Sequence, residues 1–268
     1  MLHIILASKN RACQCDATLR SLKEQISFPF EVNILYTTTN SNFENAYKIL
    51  LDKHSSESVP IRLHRETAFK SNIINLIQTN PCQNIMFLTD EEIIRRPWHY
   101  DDTFKRFETD DRILSLVIRV GHELKYRDNE NKCIHPKIWE EKNIWDFRIQ
   151  TAYHWQCIMA FGSQVYKRQD LIDYLPTLKI VNPNSMEALM CQYIHFLKHR
   201  SLLICYDQSK VVAFNLNEVR GNGNPGSVST EYLNTKFLNG LQLKLNPFYS
   251  VREDTSYFEN APIEFESY

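Results

Sequence analysis

Asp90, Glu91 and Glu92 follow one another at the end of an apolar run, Ile85-Met86-Phe87-Leu88-Thr89. Three adjacent carboxylates repel one another unless a cation joins them, and a divalent metal ion is the usual partner of such a group. Asp90 and Glu92 stand one residue apart and can both turn toward one ion if the backbone leaves its strand between them. The plainer alternative is a solvated turn capped by acids. A second polar stretch, Ser8-Lys9-Asn10-Arg11, offers a hydroxyl, an amide and two cations after another apolar run. That set suits a nucleotide whose phosphates are bridged by a metal to the acids much later in the chain.

Such stretches act together only if the chain brings them together, and the pattern between them says how. Residues 2–7 read as a short strand, after which Leu19, Leu22 and Ile26 recur at helical spacing. Residues 30–36 read as a second strand and residues 43–53 as a helix. Residues 60–65 alternate like a third strand, and residues 69–79 form a helix with Ile73, Ile74 and Ile77 on one face. The run from Ile85 has the composition of a strand buried on both sides, as in the middle of a parallel sheet. Strand and helix alternating at this spacing predict parallel strands joined by right-handed crossovers. Ligands of such sheets bind just beyond the carboxyl ends of the strands, where both polar stretches fall.

After Pro97 the pattern loosens. Residues 98–107 suggest a short helix and residues 112–120 a strand. Residues 122–150 are polar, with Trp139, Trp145 and Trp155 in or near them as stacking faces for a ligand or as core. Residues 157–161 read as a strand, 164–175 as a helix, and Asn182-Pro183-Asn184-Ser185-Met186-Glu187 opens a helix reaching about His199. Strands are expected at 202–206 and 210–216, a mobile glycine-rich loop at 221–226 and a helix at 230–239.

Composition narrows the function. A net charge of −1 supplies no basic field of the kind nucleic-acid binders use, so no nucleic-acid partner is expected. No stretch approaches the ~18 apolar residues of a membrane span, so contact with a bilayer would be peripheral. The amino terminus runs straight into a strand without the basic region of a secretory signal. Seven cysteines without paired spacing suggest reduced thiols and a cytoplasmic setting. Cys13 and Cys15 read as packing residues, and His195 with His199 as an exposed helix face. No G-x-G-x-x-G or G-x-x-x-x-G-K-[ST] is present, which argues against a dinucleotide site or a P-loop.

Four stretches in this order resemble the GT-A glycosyltransferases, near the family-2-like group of bacterial and viral sugar transferases. They are Ile-Ile-Leu-Ala-Ser-Lys-Asn-Arg ending at Arg11, Phe-Leu-Thr-Asp-Glu-Glu ending at Glu92, Asn182 to Glu187, and a tail stretch with Glu231, Leu233, Asn234, Phe237, Leu238 and Gly240. The resemblance implies an α/β fold, a doubly wound, mostly parallel central sheet with helices on both faces and a mixed C-terminal region. It implies a single domain over 1–268, with 1–97 binding a nucleotide-sugar, most often UDP-linked, and 98–268 shaping the site for a glycan or lipid-linked acceptor. Such enzymes carry an Asp-x-Asp-like motif that holds the diphosphate through Mn²⁺ or Mg²⁺. Here Asp90 and Glu92 would be the metal ligands, with Glu in the last place, and no histidine follows His199 as a further ligand.

The strand-end argument puts Ser8, Tyr36 and Thr38 along the carboxyl ends of the first two strands, where the base would bind, with Tyr36 as a stacking face or as a core or edge tyrosine. Lys9, Arg11 and Lys70 would meet the phosphates, with Asn10, Thr89, Asp90 and Glu91 completing the nucleotide-sugar site. An inverting enzyme needs a carboxylate to take the acceptor's proton. The acid opening the helix after the acceptor region is Glu187, with Asp170 and Asp173 as substitutes. Asn184-x-x-Glu187 also reads as a capping box, in which Glu187 would bond its own helix start. A sugar nucleotidyltransferase shares the α/β start but normally shows a glycine-rich first loop. A non-catalytic donor-binding module fits the departure from Asp-x-Asp.

Overall fold

The computed structural model describes residues 1–55, 58–125, 140–149, 155, 159–192, 197, 199–217, 228–250, 254–255, 257–258 and 263–268. Trp139, His195 and the loop at 221–226 lie outside them. The first third follows the expected alternation: β1 (Leu2–Lys9), α1 (Ala12–Gln25), β2 (Phe30–Thr37), α2 (Ser41–His54), β3 (Ile61–Arg65), α3 (Phe69–Thr79) and β4 (Asn84–Thr89). β1 lies between β2 and β4, and β2 beside β3, all parallel. The carboxyl ends of the four strands therefore open on one edge.

Side chains alternate across a strand, and here both faces are apolar. Ile4, Leu6, Val32, Ile34, Met86 and Leu88 face one core, while Ile5, Leu35, Ile85 and Phe87 face the other. Leu19 and Leu22 of α1 and Tyr47 and Leu50 of α2 close the first side, and Phe69, Ile73 and Ile77 of α3 the second. Truncating one of these aliphatics to alanine costs about 2–5 kcal/mol.

The chain then adds β5 (Glu92–Ile94), α4 (Asp102–Thr109), β6 (Ile113–Val117), β7 (Ile144–Asp146), β8 (Gln164–Lys167), α5 (Arg168–Tyr174), α6 (Pro183–Gln192), β9 (Leu202–Cys205) and β10 (Val211–Phe214). The remaining described elements are α7 (Thr230–Leu238), β11 (Leu241–Leu243), α8 (Asn246–Tyr249), β12 (Tyr257–Phe258) and β13 (Phe265–Ser267). Among the described residues, eight strands form one sheet in the order β3-β2-β1-β4-β8-β6-β9-β7. β8 and β7 run antiparallel to their neighbours and the other pairings are parallel. The sheet is thus mostly parallel, with a mixed far half. β5 leaves it to pair with β10, and β10 with β12, in a small second sheet.

Two expectations need correcting. Residues 164–167 are strand β8, not the start of a helix. Val165 faces one core and Tyr166 the other, and pairing with both β4 and β6 overrides the helical spacing. Residues 159–161 are not strand but enter a turn in which Gly162 (φ 151°) and Ser163 (φ 52°) have positive φ. No helix of the described residues is long and apolar enough to cross a membrane.

Candidate functional site

At the open edge of β1–β4 lies a cleft of about 500 Å³. Ser8, Lys9 and Arg11 line it from β1 and its following turn, Thr37 and Glu66 from the ends of β2 and β3, and Thr89, Asp90 and Glu91 from the end of β4. Asn182, Pro183 and Asn184 at the start of α6 and Asn215 after β10 complete the wall. The two polar stretches therefore meet.

They meet through an ion pair. The Ser8 hydroxyl donates to Asp90 Oδ2 at 2.6 Å, and Arg11 Nη1 donates to Asp90 Oδ1 at 3.1 Å. The same nitrogen donates to Glu91 Oε1, and Arg11 Nη2 to the Asn217 carbonyl. Arg11 and Asp90 are buried, and Glu91 is partly exposed. Burial raises the Asp90 carboxyl, while the Arg11 charge and the Ser8 hydroxyl act against it. Burial also lifts Glu91, to about 7, with Arg11 opposing and the neighbouring Asp90 charge adding to the rise. Tyr47 Oη supports the corner, lying 2.5 Å from Ser8 Oγ and accepting the Arg11 backbone N–H at 3.2 Å.

Glu92 lies elsewhere. Its Oε2 accepts the Thr89 backbone N–H at 2.9 Å, and its Oε1 accepts the Ser163 hydroxyl. Asp90 and Glu92 thus do not converge on one point; the acids that do are Asp90 and Glu91, and a guanidinium sits between them. Among the described residues no three His, Cys, Asp or Glu side chains group as metal ligands do. The arrangement does not fit the expected Asp90–Glu92 metal pair.

The other expected residues divide. Lys9 and Thr89 line the cleft. Asn10 adopts φ 58° and clamps the neighbouring loop, donating to Thr39 Oγ1 at 3.0 Å and accepting the Thr39 N–H at 2.9 Å. Tyr36 and Thr38 both donate to Glu44 at 2.9 Å, the Tyr36 ring packs 4.6 Å from that of Tyr47, and neither residue is among those lining the cleft. Lys70 donates to the Pro176 and Leu178 carbonyls at 2.8 and 2.6 Å, which ties α3 to the loop after α5.

Glu187 does not cap its helix. Asn182 Oδ1 accepts the Ser185 N–H and Ser185 Oγ accepts the Asn182 N–H, each at 2.9 Å, so the cap lies between those two residues. Glu187, one turn after the cleft-lining Pro183, accepts the Phe161 N–H at 2.9 Å. Asp170 pairs with Arg200 at 3.0 Å, and Asp173 accepts from Gln169 within its own helix. Trp145 and Trp155 pack edge to face in the core, 5.0 Å apart. Cys13 and Cys15 are buried and unpaired with each other, and His199 is exposed.

Sequence reading overlooked Glu66, Asn184 and Asn215. Glu66 follows β3 directly, so the strand-end argument applied to that strand would have found it. Asn215 reaches the cleft only because β10 pairs with β5, a long-range contact without a local signal.

No family profile matches this sequence, and no curated protein does. Solved structures do match. Staphylococcus aureus TarS 1-349 superposes with a TM-score of 0.52 at 12% identity, over 79% of this chain and 60% of that one. The same protein in complex with UDP-GlcNAc gives 0.51 at 13% identity, over 89% and 71%. GalNAc-T7 with UDP, GalNAc and Mn²⁺ gives 0.53 at 13% identity, over 90% and 48%. The chain thus spans 60% of the first of these and about half of the last. At these identities the likeness is one of fold, and this chain has the GT-A fold.

Proposed function

We propose that the chain is a glycosyltransferase that moves a sugar from a nucleoside-diphosphate donor to an acceptor hydroxyl. One observation carries the reading: the cleft at the ends of β1–β4 is walled on its far side by the first turn of α6, whose next turn bears Glu187. The nucleotide lies over the strand ends, and the sugar extends toward α6. UDP-linked donors and a glycan or lipid-linked acceptor are the substrates the resemblance favours, with inversion at the anomeric carbon.

In that reaction the acceptor oxygen attacks the anomeric carbon as its proton passes to Glu187. The bond from that carbon to the diphosphate oxygen breaks, and the nucleoside diphosphate leaves with the electron pair. The leaving group gains negative charge, which Lys9 faces from the cleft wall. Arg11 has its donors on Asp90, Glu91 and Asn217, so it sets the shape and charge of the floor. No step is assigned to a metal ion, because Asp90 and Glu92 do not converge.

Thermal unfolding with UDP, GDP, dTDP and ADP, each with Mn²⁺ or with a chelator, tests the donor site. A nucleotide at a hundred times its Kd stabilises the fold by about 2.7 kcal/mol, a rise in Tm of roughly 5–10 °C. Glu187→Gln is expected to keep that shift while slowing nucleoside diphosphate release by 10²-fold or more. A shift without release from any donor and acceptor would make the chain a binding module. Flat curves throughout would remove the donor site altogether.

A further inference from the structure

We propose that Glu92 is a positioning residue that locks the turn at residues 160–163, and with it the Glu187 carboxylate, to the end of β4. This rests on Glu187 being the base.

Glu92 is 3% exposed, and its two oxygens hold different partners. Oε2 accepts the backbone N–H of cleft-lining Thr89 at 2.9 Å, while Oε1 accepts the Ser163 hydroxyl. The turn is shaped to receive it. Gly162 passes so close that a Cβ there would stand 2.9 Å from Oε1 and 3.1 Å from Oε2. Ser163 holds a positive φ of 52°, its N–H donating to the Phe87 carbonyl at 3.1 Å and its carbonyl accepting the Ile118 N–H at 3.0 Å. One residue before Gly162, the Phe161 N–H donates to Glu187 Oε2 at 2.9 Å. An unbroken path of hydrogen bonds and backbone runs from the donor strand through Glu92 and the turn to Glu187.

The length of the side chain matters. A carboxylate one methylene shorter cannot hold the Thr89 N–H and the Ser163 hydroxyl together. Glutamate in the last place of the acidic triplet is therefore what the brace requires. Two explanations of Glu92 then predict opposite orders of substitution. For a metal ligand, Glu92→Asp keeps the charge and function while Glu92→Gln loses both. For the brace, Glu92→Gln keeps both hydrogen bonds, its carbonyl accepting from Thr89 and its amide donating to Ser163 Oγ, while Glu92→Asp is too short.

The experiment measures release of nucleoside diphosphate from UDP-, GDP- and dTDP-hexoses, with water or a sugar as acceptor, on the full chain. Expected are a Glu92→Gln kcat within threefold of wild type, and Glu92→Asp and Glu92→Ala kcat values at least tenfold lower, all with donor KM within threefold. Adding Glu187→Gln to Glu92→Ala should lower kcat no further than Glu187→Gln alone, since residues that act as a unit are not additive. Should Glu92→Asp or Glu92→Ala fail to fold, Ser163→Ala removes one arm of the brace and is expected to lower kcat with KM unchanged. The reverse order, Asp active and Gln inactive with a raised Mn²⁺ requirement, would overturn the brace. So would unchanged kcat in every variant, or full additivity. If the wild type binds no nucleotide and releases none, the glycosyltransferase reading itself fails and the brace goes with it.

Discussion

Arg11 joins Asp90, Glu91 and the Asn217 carbonyl from a buried position, and its Nε has no hydrogen-bond partner in the described structure. Two adjacent carboxylates in that setting depend on the guanidinium, since removing one partner of a buried pair strands the other charge. Arg11→Ala is therefore expected to cost about 3–5 kcal/mol, read as a fall in Tm of roughly 10 °C. Millimolar Mg²⁺ or Mn²⁺ should recover part of that loss in the variant, because a cation then has a vacated place between Asp90 and Glu91. Removing Asp90 as well should cost less than the two single losses added together. A variant as stable as wild type would show that the pair is incidental. The acidic turn and the basic turn were legible in the sequence because each stands at a strand end. That Arg11 would face the acids, and that Glu92 would turn away from Asp90, depends on the turn geometry between β4 and β5, which residue types do not encode.

At the scale of elements, the most telling case is the start of α6. Its sequence reads as a capping box from Asn184 to Glu187, but the helix is capped instead by Asn182 with Ser185. Ser185→Ala removes the acceptor of the Val181 and Asn182 N–H groups and is expected to cost about 1 kcal/mol. In urea the midpoint should fall with the slope unchanged. Glu187→Gln should leave stability within about 0.5 kcal/mol, because it caps nothing and is partly exposed. Equal losses in the two variants would restore the rejected cap. The elements up to β4 were legible because periods of two and 3.6 are unambiguous when strand and helix alternate. α3 begins and ends where its pattern says. The error at β8 has a definite cause: four residues between two neighbours of the sheet are held by pairing on both sides, and so short a run leaves no clear period.

Across the whole molecule, side chains rather than backbone alone tie the strands and the chain ends together, and two of these ties respond to acid. On one face of the sheet, His3 Nε2 lies 2.8 Å from Asn33 Nδ2, and Asn33 Oδ1 lies 2.7 Å from His64 Nε2, a line crossing β1, β2 and β3. The line closes when Asn33 donates to an unprotonated His3 and accepts from His64. Burial pulls His3 down to about 4, with Glu31 opposing and Arg62, His64 and Arg168 adding to the fall. On the other face, Asp16 is buried, with Lys53 at 2.6 Å, Arg20 at 2.9 Å and His54 at 3.0 Å. Lys53 in turn lies 4.3 Å over the Tyr268 ring at the carboxyl end. Burial raises Asp16, but the His54 hydrogen bond and the charges of Arg20 and Lys53 outweigh it and hold the carboxyl at about 2. The signs give two windows. His3 is neutral in the fold and has an ordinary value of 6.5 when unfolded, so the unfolded chain takes up the proton first. The contribution of His3 then falls as pH drops from 6.5 to about 4, by on the order of 3 kcal/mol in total. Asp16 stabilises the fold above its ordinary value of 3.8, and that contribution is lost as pH falls from there through about 2. Glu91 acts in the opposite sense, since a carboxyl raised to about 7 in the fold adds stability as pH drops from 7 to 4.5, so the His3 window is read as a difference. In urea unfolding from pH 8 to pH 3, wild type should lose stability relative to His3→Gln, whose carbonyl can accept from Asn33 without titrating, between pH 6.5 and about 4. Both proteins should lose stability again below 3.8. A difference that stays constant with pH would show that His3 is protonated equally in the folded and unfolded chains.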